Sequence, residues 1–248
     1  QHIHRIMRAV LHAADPARAL RHALPGTLPE EGPLYLVAAG KAALEMAAEA
    51  VRLCGERIAA GVVAAVPERV GMVTLPGGIQ VCPAAHPLPD ERNLLAARAI
   101  ASIARHAAAD PQGVLLALIS GGGSAHLTLP VAGLALGDLR EISRMLMRAG
   151  APIGELNAVR KHCEVLKGGG LARLAFPTPV HAYLLSDVLG DPLDVIASGP
   201  AAPDPTTYAD ALAVLDRVHL LEAVPVVAAH LQAGLRGEHP ETLKPGDP

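Results

Sequence analysis

Six consecutive apolar residues, Val114 to Ile119, stop abruptly at Ser120 and three glycines, Gly121 to Gly123. An uninterrupted apolar run of this length is typical of a strand buried on both faces, as in a parallel sheet covered by helices. Glycines lack a Cβ atom and allow backbone N–H groups to approach an anion closely, so the turn suits a phosphate group. Locally, the alternative is a tight turn that only lets the chain leave the sheet.

The composition disfavours several classes of partner. The 21 Lys and Arg residues are balanced by 24 Asp and Glu residues without a block of either sign, which disfavours nucleic acids and anionic membranes. No Trp, one Phe and three Tyr leave few rings for base stacking. The three cysteines are widely spaced and odd in number, which predicts a reducing cytoplasm and no disulfide framework. The histidines lack zinc-ligand spacing, and no apolar run is long enough to span a bilayer.

Strand-like and helix-like segments alternate along the chain. Strands are predicted at 34–40, 61–66, 77–82, 114–120 and 180–187, and helices at 42–54, 94–107, 134–150 and 154–167, with two more before the first strand. Asp15, Asp90 and Thr206 or Thr207 are placed to cap helices. The alternation predicts an α/β fold built on a mostly parallel sheet.

Lys41 follows directly on the first predicted strand, Leu34 to Gly40, and precedes a helix. Ligands of open α/β sheets bind at such strand ends, and a bound anion would offset a cation at the positive end of the helix dipole. Lys41 is therefore a candidate phosphate ligand, although a solvated lysine on a first helical turn fits the local sequence equally well. The segment is not a Walker A motif, because Tyr35 and Ala42 stand where that motif has glycine and Ser or Thr.

Two other stretches carry charges suited to an anionic substrate and its metal. Arg160 and Lys167 are seven residues apart in a predicted helix, so they share a face and can point at one anion; the alternative is a solvated basic face. Asp187 ends the last predicted strand, with Asp191 close behind. Because Mg²⁺ takes one or two protein oxygens plus substrate phosphates, Asp187 with Asp191 would suffice to hold it.

Seven motifs together resemble those of the glycerate 2-kinase family, which phosphorylates D-glycerate at its 2-hydroxyl with ATP. They are Ala39-Gly40-Lys41-Ala42-Ala43, His86-Pro87-Leu88-Pro89-Asp90, Ser120-Gly121-Gly122-Gly123-Ser124, Asn157-Ala158-Val159-Arg160-Lys161-His162, Lys167-Gly168-Gly169-Gly170-Leu171-Ala172, Ser186-Asp187-Val188-Leu189-Gly190-Asp191, and Ile196-Ala197-Ser198-Gly199-Pro200 with Pro203-Asp204-Pro205-Thr206-Thr207. The resemblance covers nearly the whole chain.

The resemblance implies a three-layer αβα Rossmann-like sandwich and Mg²⁺ with ATP as phosphoryl donor. Lys41 matches the family's active-site lysine, and we expect Lys41 and Asp187 to be catalytic. The implied nucleotide ligands are Ser120, Gly121, Gly122, Gly123 and Ser124; the implied substrate ligands are Asn157, Arg160, Lys161 and Lys167. We expect in-line transfer of the γ-phosphoryl group, in which positioning and charge neutralisation do most of the catalysis.

Two departures from the family pattern accompany the resemblance. His126 stands where leucine is usual, which predicts a more polar rim for the glycine loop. Residues 1–236 are expected to form the nucleotide- and substrate-binding lobe, and 237–248 a linker toward a smaller C-terminal domain that this chain lacks. The expected partners are D-glycerate and ATP, with a homodimer left open and neither nucleic acid nor membrane involved.

Two other functions stay open at the level of sequence. The first is an NAD(P)H-dependent hydroxypyruvate reductase, which the loop disfavours because His126 stands where a G-x-G-x-x-G motif has its third glycine. The acidic residues about twenty positions on, Asp138 and Glu141, also lie in a predicted helix and not at a strand end. The second is a lobe that binds nucleotide without catalysis.

Overall fold

The computed structural model describes residues 2–247 of the chain. The helices are α1 (His2–Ala13), α2 (Pro16–Ala23), α3 (Ala43–Cys54), α4 (Glu91–Ala108), α5 (Gly123–His126), α6 (Leu136–Arg148), α7 (Ile153–Cys163), α8 (Gly170–Ala175), α9 (Tyr208–Arg217) and α10 (Pro225–Leu235). The strands are β1 (Leu34–Ala39), β2 (Ile58–Ala65), β3 (Ile79–Pro83), β4 (Val114–Ser120) and β5 (Val180–Leu185). Short 3-10 turns lie at Gly55–Arg57, Pro67–Arg69 and Ile196–Ser198.

The five strands form one sheet in the order β3-β2-β1-β4-β5, and every neighbouring pair is parallel. In the centre, Leu34 pairs with Val114 and Ala39 with Ile119. The predicted α/β fold with a parallel sheet is confirmed. After β1 the chain adds strands toward one edge of the sheet, and from β4 it adds them toward the other edge, so the direction of strand order reverses between β1 and β4. Ligands of open α/β folds bind at the carboxyl ends of the strands where this reversal occurs.

Alternate residues of β1 enter two different cores, one on each face of the sheet. Tyr35, Val37 and Ala39 pack with α4 and α8, whereas Leu36 and Ala38 pack with α2 and α3. Both faces of the central strands are therefore covered, which is why β1 and β4 are apolar at nearly every position.

A third core joins α6, α7, α9 and α10 beside the sandwich. Leu146, Val159, Leu215 and Leu231 are fully buried in it. Two helices of this cluster, α6 and α7, contribute to the wall of the cavity described below. None of the helices within residues 2–247 combines the length and apolar character needed to cross a bilayer.

The predicted helix caps are confirmed. The Asp15 carboxylate accepts a hydrogen bond from the Ala17 N–H at 3.0 Å and starts α2. Asp90 accepts from the Arg92 N–H at 2.9 Å and starts α4, and Thr207 caps α9.

The C-terminal segment, residues 237–247, lies against the lobe. Glu241 accepts a hydrogen bond from the Tyr208 N–H at 2.9 Å, and the Thr242 hydroxyl donates to Asp204 at 3.0 Å. Lys244 reaches the carbonyl oxygen of Asp204 at 3.3 Å. The proposed role of 237–248 as a linker stays a prediction, and its last residue, Pro248, lies outside the described residues.

Candidate functional site

The loops that follow β1 and β4 are bonded to each other. The Lys41 N–H donates to the Gly121 carbonyl oxygen at 2.9 Å, and the Ala42 N–H donates to the Ser120 hydroxyl at 3.0 Å. Gly40 has a φ of +117°, and a Cβ atom there would lie 2.8 Å from the Ser120 carbonyl carbon. Only glycine therefore fits at this crossing. The hydroxyl of Ser120, a predicted nucleotide ligand, is buried in this contact.

Three polar side chains surround the glycine loop. A Cβ atom on Gly122, whose φ is +86°, would lie 2.9 Å from His86 Cδ2 and 3.3 Å from Lys41 Cγ. A Cβ atom on Gly121 would lie 2.8 Å from the carboxyl carbon of Asp187. The structure thus brings Lys41, Asp187 and the predicted phosphate loop together, and His86 lies against the same loop.

His86 sits in the field of both charged neighbours. Partial burial and the nearby Lys41 ammonium lower the pKa of His86, whereas the Asp187 carboxylate opposes them. The net direction is downward, so the ring is neutral at pH 7 and can either donate or accept a hydrogen bond.

A cavity of about 170 Å³ opens beside the loop. Its wall consists of the segment after β3, the glycine loop, and residues of α6 and α7 with the chain that follows them. The lining residues are His86, Pro87, Leu88, Pro89, Gly122, Ser124, Ala125, Thr128, Leu139, Arg140, Ser143, Arg160, Glu164 and Lys167. The cavity therefore has three side-chain cations, Arg140, Arg160 and Lys167, and one carboxylate, Glu164.

Arg160 is the cavity cation best suited to bind a carboxylate. Its Nε donates to the Ser143 hydroxyl at 3.0 Å, and burial lowers the pKa of the guanidinium, which still stays charged at neutral pH. No carboxylate forms an ion pair with Arg160 within residues 2–247. The remaining N–H groups of this planar donor are therefore available to a ligand.

Lys167 also reaches the cavity, but not along the predicted helix face. The helix was expected to continue to Lys167, yet α7 ends at Cys163. Val165 then donates its N–H to Leu129 O at 2.8 Å, which turns the chain away from the helix axis. The ammonium of Lys167 forms a buried ion pair with Glu164. Burial lowers the pKa of Lys167 to about 8, although Glu164 opposes the change.

The other two predicted substrate ligands do not line this cavity. Lys161 is buried, and its ammonium lies 3.1 Å from Asp204 and 3.3 Å from Asp194, on the side of α7 turned toward the C-terminal segment. Asn157 is buried too, and its side-chain oxygen accepts a hydrogen bond from Ser198 at 3.1 Å. Of the predicted ligands on α7, Arg160 therefore lines the cavity, whereas Asn157 and Lys161 make buried contacts elsewhere in the protein.

The two aspartates predicted to bind a metal are both exposed. Asp187 makes no hydrogen bond or ion pair with any of the residues that the structure describes, and Asp191 has a φ of +50°. Residues 2–247 contain no group of three or more His, Cys, Asp or Glu side chains that could hold a metal ion. A free carboxylate beside a phosphate loop nevertheless fits Mg²⁺, which needs few protein ligands.

Several residues of the site were not predicted from the sequence. Arg140 and Ser143 lie on α6, a helix that carries no motif, and the amphipathic pattern of this helix gave no sign of the cavity.

His126, expected at the rim, is instead fully buried: its Nδ1 lies 3.0 Å from both the Gly40 N and the Ala64 O. The expectation of a more polar rim was wrong, because the ring points between β1 and β2.

A second cavity, of about 270 Å³, lies on the other side of the Lys167 and Glu164 side chains, which line both cavities. Tyr208, His230 and Glu241 are among its lining residues. It is larger than the first cavity, but it lies away from the carboxyl ends of the strands. We therefore place the candidate site in the first cavity.

The chain is similar to proteins named as glycerate kinases and to one named as a hydroxypyruvate reductase. It is 38% identical to a glycerate 2-kinase of Pyrococcus horikoshii over 97% of this chain and 55% of that protein. The crystal structure of a glycerate kinase from Thermotoga maritima matches with a TM-score of 0.85 at 37% identity, over 97% of this chain and 55% of that one. A relative from Agrobacterium vitis, provisionally named a hydroxypyruvate reductase, is 39% identical over 88% of this chain and 48% of that protein.

The chain spans about half the length of the curated relatives it matches. The resemblance to glycerate 2-kinases, predicted from seven motifs, is confirmed over most of the chain. The family model that matches residues 2–232 is described as a domain of unknown function, DUF4147. With motifs, fold and sequence in agreement, this chain belongs to the DUF4147 family.

Proposed function

We propose that the chain supplies the nucleotide- and substrate-binding lobe of an enzyme that phosphorylates D-glycerate at its 2-hydroxyl with Mg²⁺-ATP. The proposal rests chiefly on the convergence of Lys41, the glycine loop and Asp187 at the ends of three different strands. A single ligand at this edge of the sheet can therefore meet an ammonium, backbone N–H donors and a carboxylate at once. The glycerate kinases among its relatives support the same activity.

The donor phosphates would lie on the loop from Gly121 to Ser124. This loop leads into the first turn of α5, where backbone N–H groups have no acceptor within the helix. Lys41 would neutralise the charge that develops on the transferring phosphoryl group, a contribution worth several kcal/mol in a pre-organised site. Asp187, on the other side of the loop, would orient the attacking hydroxyl or hold the metal.

The acceptor would occupy the cavity of about 170 Å³. At about 10–15 Å³ of such space per water molecule, the cavity has room for a small hydroxy acid. The free N–H groups of the Arg160 guanidinium would pair with the carboxylate of glycerate. His86, neutral at pH 7, lines the same cavity and lies near the glycine loop. Because Lys167 is neutralised by its ion pair with Glu164, the net positive charge of the cavity comes from Arg140 and Arg160.

Asp187 is the residue best placed to hold Mg²⁺, with Asp191 as a second oxygen ligand. When bound with ATP, the ion would neutralise phosphate charge. Positioning of the hydroxyl and of the phosphates remains the work of the side chains and loop described above.

The proposal is tested by ATP turnover and by calorimetric titration of the chain with Mg²⁺-ATP and with D-glycerate. Lys41→Ala should lower turnover by at least a factor of 100, because a point charge at the phosphoryl group is lost. Arg98→Ala, which removes an exposed cation from α4 outside the cavity, is the matched control and should leave turnover unchanged. Near-normal turnover in Lys41→Ala would discard the role of this lysine.

The glycine loop can be tested separately. Gly122→Val would place a side chain against His86 in a backbone conformation that valine disfavours, so the KM for ATP should rise at least 10-fold. Unchanged nucleotide affinity would put the donor site elsewhere. Binding of Mg²⁺-ATP without turnover would identify a binding lobe that is not active by itself.

The second candidate is the hydroxypyruvate reductase suggested by the name of the Agrobacterium vitis relative. Following NADH oxidation with hydroxypyruvate, alongside ADP release with D-glycerate, separates the two reactions. NADH oxidation without ADP release would replace the kinase proposal.

A further inference from the structure

Three polar side chains form a chain of hydrogen bonds that ends at the cavity. The Ser124 hydroxyl lines the cavity and lies 2.8 Å from the Ser198 hydroxyl. Ser198 donates in turn to the side-chain oxygen of Asn157 at 3.1 Å. Ser198 and Asn157 are 0% and 3% exposed, so water does not compete for these bonds. The three residues belong to α5, to the 3-10 turn at 196–198 and to α7.

The chemistry of the groups sets the direction of this chain. An amide oxygen can only accept, so the single hydrogen of the Ser198 hydroxyl points to Asn157. The Ser198 oxygen must then accept from Ser124. The hydrogen of Ser124 is therefore directed away from the cavity, and the free lone pairs of its oxygen face into it.

Ser198 lies in a strained turn that contacts on two sides hold in place. Ala197 and Ser198 have φ values of +51° and +64°, a conformation that side-chain-bearing residues adopt at a cost of about 1–3 kcal/mol each. The Ser198 carbonyl oxygen accepts from the Gly168 N–H at 3.0 Å, which ties the turn to the chain before α8. On the other side, a Cβ atom on Gly123 would lie 2.9 Å from Ala197 Cβ, so the glycine loop packs directly on the strained turn.

We infer that Ser124 accepts a hydrogen bond from a hydroxyl group of the hydroxy acid, and that Ser198 and Asn157 are positioning residues that keep it an acceptor. The inference rests on the proposed function and refines it. Phosphate oxygens of ATP are acceptors and need donors, which the Ser124 side chain cannot be while it is bonded to Ser198. Its side chain thus serves the acid, and only the loop backbone serves the nucleotide. Asn157 does not contact the ligand; it acts through Ser198, which in turn acts through Ser124.

The test compares two acids that share a carboxylate, D-glycerate and propionate, in NMR titrations of the chain, which measure weak binding. Ser124→Ala should weaken D-glycerate binding about 3- to 10-fold, the worth of one hydrogen bond, and change propionate binding less than 2-fold. Ser198→Ala should cause a smaller loss for D-glycerate, because Ser124 keeps its oxygen but loses its fixed orientation. The double variant of Ser124 and Ser198 should match Ser124→Ala, since Ser198 acts on the ligand only through Ser124.

Each other outcome overturns the inference. An equal loss for propionate would mean that Ser124 donates to the carboxylate, and additive losses in the double variant would mean that Ser198 acts independently. A loss for both acids in Ser198→Ala would reveal a purely structural turn. If the unaltered chain binds D-glycerate and Ser124→Ala binds it equally well, this inference alone fails. If the unaltered chain binds no D-glycerate, the proposed function fails with it.

Discussion

His126 should make the stability of this protein unusually sensitive to mild acid. The ring is 0% exposed, and its Nε2 has no hydrogen-bond partner among the described residues. Burial lowers the pKa of His126 to about 4, with the neighbouring His86 acting in the same direction. In the unfolded chain the pKa returns to about 6.5.

The sign and size of the effect follow from these two values. The unfolded state takes up the proton first as pH falls, so the stability contributed by neutral His126 is complete above pH 6.5 and is lost on the way down to pH 4. At about 1.4 kcal/mol per pKa unit, the loss approaches about 3 kcal/mol below pH 4. Between pH 8 and pH 5 it amounts to about 2 kcal/mol, a large part of the stability of a typical domain.

The assay is urea unfolding followed by circular dichroism at pH 8 and pH 5. His126→Leu should be less stable than the parent at pH 8 by about 1–3 kcal/mol, because a buried backbone group between β1 and β2 loses its partner. Its further loss on going to pH 5 should be about 2 kcal/mol smaller than that of the parent. His22→Leu, which removes an exposed histidine from α2, is the control and should follow the parent. The same pH-dependent loss in His126→Leu and the parent would refute the reasoning.

Three other substitutions test the fold. Lys161→Met leaves the buried Asp204 carboxylate without its cation and should lower the free energy of unfolding in urea by about 3 kcal/mol. Gly234→Ala puts a methyl group into the ring of Tyr208 and should lower the midpoint of thermal unfolding, at a cost of about 2 kcal/mol, despite the better helix propensity of alanine. Two arginines lower the pKa of buried Glu49 to about 2, so the stability it adds is present above pH 4.5 and lost toward pH 2. Glu49→Gln should cost about 1 kcal/mol at pH 7 and flatten the decline of stability in acid.

The sheet could be predicted from the sequence because its signals are local. A strand buried on both faces is apolar at successive positions, and Val114 to Ile119 has no other reasonable place in a folded chain. The glycines and charged residues that follow β1, β4 and β5 then fall at one edge, since parallel strands all end there. This is why Lys41 and Asp187 could be placed in one site although they are far apart in sequence.

The walls of the cavity could not be predicted in the same way. Arg140 and Ser143 face it only because α6 packs with α7 in a separate core, and nothing near them in sequence indicates that contact. Lys167 reaches the cavity through a turn at Val165 that depends on a backbone bond to Leu129. His126 was misplaced because a histidine after a glycine loop is usually polar and accessible, whereas this ring is buried against Gly40 and Ala64, at the ends of β1 and β2.

The contact between the loops after β1 and β4 determines which parts of the cavity can adapt to a ligand. Gly40 and Ser120 approach so closely that a methyl group would not fit between them, and the bonds from the Lys41 and Ala42 N–H groups close the remaining gap. The junction of the two loops, which forms the floor of the proposed phosphate site, is therefore stiff, and adaptation to different ligands falls to the side walls, α6 and the prolines after His86. A change in selectivity should accordingly be sought there, since alterations of the floor would disrupt the sheet before they reshaped the site.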